Sequence, residues 1–167
     1  EQGYDVKTVA NTTSFDVWAI VAHGDSIWVL TDRNLRRISR TATPPRLVSL
    51  IYETPAGRPL GMRLMDVAPN GDVYVGSEEG VRRYRVGGVT EDLTATNSPL
   101  ASDDVRAIAV RGPEVWVATA AGAARFSGGA WQAFGTAQGL PSDDVRALAV
   151  DPADMRLWAA TPAGLAI

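Results

Sequence analysis

Apolar and polar residues alternate in short runs along this chain, and each run soon ends at Gly, Pro, Asn, Asp or Ser. Tyr4, Val6 and Thr8 alternate with Asp5 and Lys7, a strand pattern followed by the turn Asn11-Thr12-Thr13-Ser14. Leu64–Val67 and Asp72–Ser77 form two further runs, with Asn70-Gly71 between them. Both residues of that pair tolerate the positive φ of a tight hairpin. Strands are expected at 105–110, 115–119, 123–126 and 130–134, with Gly128-Gly129 turning the last pair. No segment shows helical periodicity.

The runs repeat. Ser102-Asp103-Asp104-Val105-Arg106-Ala107-Ile108-Ala109-Val110 returns further on as Ser142 to Val150, with Leu148 for Ile108 as the single change. The same frame extends backwards. Setting Asp16 against Asp104 aligns Trp28 with Trp116 and Thr31 with Thr119, while Tyr74 takes the Trp position in another copy. The copies span 14–61, 62–101, 102–141 and 142–167, with residues 1–13 preceding them. Four short strands (a to d) in about 40 residues are the signature of a β-propeller blade. The expected fold is therefore all-β: a β-propeller of four-stranded blades, with four blade equivalents.

The last copy carries strands a to c, while residues 1–13 resemble a strand d separated from its blade. The spacing from Tyr4 to Asp16 falls just short of that from Trp131 to Asp144. The two pieces together approach one repeat, so the last blade is expected to be completed by the N-terminal strand. Three closures stay open: a four-blade ring, a homodimeric eight-blade ring formed by strand exchange, or a piece of a longer propeller.

The segment Gly-Leu-Pro-Ser-Asp-Asp-Val-Arg-Ala-Leu-Ala-Val-Asp (139–151), followed by Leu157-Trp158-Ala159-Ala160-Thr161 and Gly164-Leu165, resembles the two-component-regulator propeller repeat. The match is strong in the third and fourth copies, fair in the second and weak in the first. The resemblance implies a bacterial, extracytoplasmic binding or sensing module, usually part of a larger sensor or surface protein. Streptogramin lyases are propellers of similar appearance, but they rely on more than one histidine, and this chain has only His23.

Composition narrows the chemistry. The 167 residues contain no cysteine, which excludes disulfides, zinc–thiolate sites and thiol nucleophiles. A net charge of -3 does not suit nucleic acid, and no apolar run reaches membrane-spanning length. No signal peptide pattern occurs at the start of the sequence. No cofactor or metal motif is present. Lys7 is the sole lysine among 16 basic residues, so arginine abundance reflects coding bias as much as function.

Trp28, Tyr74, Trp116 and Trp158 occupy one position in every blade and are expected to pack between blades. Candidate ligand or partner contacts lie where strand d leads into the next strand a, and in the b–c turns on the same face. They are Asp32, Arg33, Glu78, Glu79, Asp103, Asp143, Arg106, Arg146 and Trp18. Asp16, Asp104 and Asp144 recur beside them, either as a cation- or amine-binding ring or as turn formers. Arg106 and Arg146 suit an anionic ligand or a pairing with Asp of a neighbouring blade. Arg36-Arg37, Arg82-Arg83 and Arg125 alternate with apolar residues and are expected on solvated outer positions. His23 lies at an a–b turn, on the opposite face from the Asp positions.

Overall fold

The computed structural model describes residues 16–32, 34–41, 46–53 and 64–167, with the backbone alone at 46–53. The segment 1–13 and Arg33 lie outside the described residues. The chain divides into two units, 1–60 and 61–167. Among the described residues every sheet is an antiparallel β-meander, a run of sequence neighbours, and one short 3-10 turn lies at Thr136–Gln138.

The first unit holds one four-stranded sheet: β1 (Val17–His23), β2 (Ser26–Thr31), β3 (Asn34–Ser39) and β4 (Arg46–Glu53). Leu30 and Leu35 are fully buried, and Trp28 is nearly so.

The second unit holds three sheets. The first is β5 (Leu64–Val67), β6 (Val73–Ser77), β7 (Gly80–Tyr84) and β8 (Thr90–Leu93). The second is β9 (Val105–Arg111), β10 (Glu114–Thr119), β11 (Gly122–Ser127) and β12 (Ala130–Phe134). The third has β13 (Ala147–Val150), β14 (Leu157–Thr161) and β15 (Gly164–Ala166). Strands 9 to 12 fall within one residue of the spans expected from the alternation.

The sheets of this unit pack face to face, as blades do. Tyr74, Val81 and Leu93 of the first sheet join Val105, Val115, Val117 and Ala124 of the second in one core. Ala118 and Ala123 meet Val145 and Ala159 in the next. Gly76 is required at the first junction, because a Cβ there would lie 2.7 Å from Val105 Cγ1.

The Asn70-Gly71 turn forms, but only Gly71 takes a positive φ, of 86°. Asn70 acts through its side chain instead: its Oδ1 accepts the Asp72 amide at 3.1 Å. The turn therefore needs one left-handed residue, with an Asx bond in place of the second.

Candidate functional site

The d–a connections and the b–c turns share one edge of the second unit. The Gly80 amide donates to the Asp103 carbonyl, the Ala120 amide to Asp104, and the Val145 amide to Thr119. In the first unit the Asp32 amide donates to the Asp16 carbonyl in the same way. These bonds tie the b–c turns and their flanking residues to the starts of a strands, as the alignment of Asp16 with Asp104 requires.

A hydroxyl builds every b–c turn. Ser77, Thr119 and Thr161 donate to the carbonyls of Gly80, Gly122 and Gly164 at 3.3, 2.9 and 2.9 Å. Each also accepts the amide two residues on, from Glu79, Ala121 and Ala163. Thr31 plays the part in the first unit, with Asn34 in the glycine position, and it donates to both the Asn34 carbonyl and its Oδ1. The turn is thus a fixed frame carrying two variable residues: Asp32-Arg33, Glu78-Glu79, Ala120-Ala121 and Pro162-Ala163. Glu78 and Glu79 are exposed, and Asp32 is half-buried.

The recurring Asp and Arg form a chain of ion pairs. The Arg106 guanidinium bridges Asp104 of its own blade, at 3.1 Å, and Asp144 of the next. Arg146 then pairs with Asp144 at 3.0 Å and is largely exposed. The expected pairing with Asp of a neighbouring blade is made by Arg106, while Arg146 pairs within its own blade. Asp103 and Asp143 serve the connections: Asp103 Oδ1 accepts the Ala95 amide at 2.6 Å, and Asp143 Oδ1 the Thr136 amide at 2.6 Å. Trp18 is 44% exposed on β1. His23 lies at the far end of β1 from Asp16, where it pairs with Ser26.

Two arginines that the sequence places on solvated positions are instead structural. Arg83 is only 11% exposed and donates to Asp72 at 2.6 Å. Its guanidinium lies between the Tyr74 and Phe126 rings, 5.3 and 5.0 Å from their centroids. Arg125 lies over two rings of its own sheet, Trp116 and Phe134, both at 5.7 Å, and pairs with Glu114 at 3.2 Å. The alternation with apolar residues is real, but at Arg83 the polar side faces the next blade and not water. The signal that could have revealed this is the acidic residue two positions before each aromatic, Asp72 before Tyr74 and Glu114 before Trp116.

Electrostatics follow from these contacts. Burial works against the Asp72 carboxylate, but the Val86 amide and Arg83 more than offset it and hold its pKa below the ordinary value. Glu114 is likewise lowered against its burial, by Trp116 Nε1 and Arg111. Burial pushes the Tyr74 hydroxyl up to about 12. Among the described residues no cluster of His, Asp and Glu is arranged to hold a metal.

By sequence, no protein-family profile and no curated protein matches this chain. Solved structures match by shape. The extracellular domain of a hybrid two-component system protein, BT3049 from B. thetaiotaomicron, superimposes with a TM-score of 0.69 over 90% of this chain at 20% identity. The chain shares the fold of that extracellular domain. It spans 21% of the BT3049 domain's length and 20% of that of a second extracellular domain, BT4673, which matches at a TM-score of 0.66 and 16% identity. A catalytically inactive virginiamycin B lyase from Staphylococcus aureus, solved with quinupristin, matches at a TM-score of 0.65 and 13% identity. There the overlap covers 90% of this chain and 50% of the lyase. At these identities the likeness concerns the fold alone. Among the described residues no helix is long and apolar enough to cross a membrane.

Proposed function

We propose that this chain is a non-enzymatic β-propeller module for binding or sensing, part of a larger extracytoplasmic sensor or surface protein. It presents the b–c turns and d–a connections to a ligand or protein partner. One observation carries this reading: the hydroxyl-built turn is constant from blade to blade, while the two residues at its tip change from acidic to apolar. A rigid scaffold with variable tips suits recognition. The non-enzymatic part is supported by the ion-pair chain, in which Asp104, Arg106 and Asp144 neutralise one another. It is also supported by His23 lying at the opposite end of its strand from Asp16.

The test is a binding screen of the full chain against immobilised glycans and peptides, repeated with Asp32, Arg33, Glu78 and Glu79 all changed to Ala. Hits should lose at least tenfold in affinity in the variant. Hits that bind both proteins equally would assign recognition to another surface.

The finer architecture we propose is four blade equivalents, with the segment 4–9 adding as the fourth strand beside β15. This reading is favoured by the alternation of Tyr4, Val6 and Thr8 with Asp5 and Lys7, a strand pattern that precedes Asp16 at nearly the spacing of Trp131 from Asp144. Mass in solution separates closure within one molecule from strand exchange between two.

A further inference from the structure

Asn70 alone among the chain's asparagines is followed by glycine. That dipeptide is chemically labile in an unfolded chain. The backbone nitrogen of the glycine attacks the side-chain carbonyl carbon of the asparagine, a five-membered ring closes, and the side-chain nitrogen leaves as ammonia. Water then opens the succinimide, giving aspartate or an isoaspartate whose backbone runs through the former side chain. A side chain on the following residue would hinder the attack, and glycine has none.

The fold requires this glycine. Gly71 takes a φ of 86°, and a Cβ there would lie 3.0 Å from Val86 Cγ2. The turn is held against the reaction in another way. The attacking group, the Gly71 amide, is engaged with the Ala68 carbonyl at 2.8 Å. Both ends of the Asn70 side-chain amide are tied to Asp72. Its Oδ1 accepts the Asp72 amide and its Nδ2 donates to Asp72 Oδ2, each at 3.1 Å. Attack requires the side chain to swing back onto the Gly71 nitrogen, which breaks these bonds. Asn70 itself is exposed, so burial offers it no protection.

Asp72 is in turn fixed by the interior. It is 4% exposed, its Oδ2 accepts Arg83 Nη2 at 2.6 Å, and its Oδ1 accepts the Val86 amide at 2.9 Å. Arg83 lies over Phe126 of the next sheet. The exposed turn is thus coupled to the junction between the first two sheets of the second unit. We propose that Asn70 is a deamidation site gated by Asp72: it reacts when the Asp72 carboxylate is released, and so records the opening of that junction. The mark is lasting. An oxygen in place of Nδ2 faces Asp72 Oδ2 with no proton to donate. An isoaspartate adds a backbone atom to a turn whose ends are joined by the Ala68 amide and the Asp72 carbonyl at 2.9 Å. Either product opposes closure of the junction.

The experiment follows deamidation at Asn70 in the full chain by peptide mass mapping at neutral pH, over a series of urea concentrations below the unfolding transition. Hydrogen exchange of the Val86 amide, a donor to Asp72 Oδ1, reports release of the carboxylate, and the β10 amides report global unfolding. The native chain should react about tenfold or more slower than the chain unfolded in urea, and its rate should rise in step with Val86 exchange. Native and unfolded chains reacting alike would overturn the proposal. A rate that follows the β10 amides instead of Val86 would overturn the role of Asp72. Asp72→Ala should speed the reaction in folded protein about tenfold, while Thr119→Val, which weakens a turn of the next blade and leaves Asp72 untouched, should not. Equal acceleration in the two variants would place the gate in lost stability and overturn the proposal. The wild-type series decides the matter by itself if Asp72→Ala does not fold.

Discussion

At the scale of single residues, the most consequential group is the pair formed by Arg83 and Asp72. Both are nearly excluded from water, and the pair is closed by two aromatic rings, the Val86 amide and the Asn70 side chain. A buried pair contributes little net stability against a well-packed apolar substitute, but breaking it leaves an uncompensated charge. Arg83→Ala and Asp72→Ala should therefore each cost about 3 kcal/mol or more, while the double variant should cost much less than the sum. A double-mutant cycle by denaturant unfolding checks this. Additive costs would mean that the two groups act independently, contrary to the 2.6 Å contact. The sequence shows Arg82 and Arg83 as an undivided basic pair. The strand pleat divides them: Arg82 meets Asp92 near solvent, while Arg83 turns into the blade junction. Which side of a blade is solvated depends on the presence of the next blade, and alternation alone does not encode that.

At the scale of the element, the repeating unit is the b–c hairpin with its hydroxyl. The strand spans of the third copy and the recurring aromatic position were legible, because each follows from spacing: short alternating runs, turn residues and a near-exact copy at 102–110 and 142–150, while the spans of β3, β4 and β8 were not. The hydroxyl was visible only as a recurring letter. Its role appears once the backbone is known, since the same Thr could have pointed outward from any strand end. Thr119 is fully buried, whereas the Thr161 turn is exposed to water. Thr119→Val keeps the shape and removes two hydrogen bonds, leaving the Ala121 amide and Gly122 carbonyl short of a partner. It should cost about 1 to 3 kcal/mol, and Thr161→Val clearly less, because water can replace the lost bonds there. Equal losses in thermal unfolding would show that burial is not what gives the turn hydroxyl its weight. Glycine carries the other half of the turn. Gly80 has a φ of 108°, and a Cβ there would meet the Leu93 carbonyl oxygen at 2.4 Å.

At the scale of the molecule, the charged groups that matter for stability are set between strands and blades, and not spread over a binding surface. That predicts an asymmetric response to pH. Asp72 and Glu114 have pKa values below their ordinary 3.8 and 4.5 in the folded protein. A carboxyl lowered on folding stabilises the native state fully above its unfolded pKa, and that stability is lost as pH falls through the folded value. Stability should therefore hold near neutrality and begin to drop as pH falls below about 4.5, steepening under 3.8 as both groups take up protons. Asp92 is also lowered, by its bond to Arg82, but its exposure leaves it a smaller share. Protonation also uncovers the charge of 16 basic residues, so general repulsion acts in the same direction. Salt separates the two causes, because it screens exposed repulsion and leaves partly buried pairs largely unaffected. Denaturant midpoints measured from pH 7 downward should keep most of their acid slope in high salt, and Asp72→Asn with Glu114→Gln should flatten it. A slope that salt removes and the double variant keeps would place the acid sensitivity in overall charge, and the blade-junction pairs would then be fillers of space more than sources of stability.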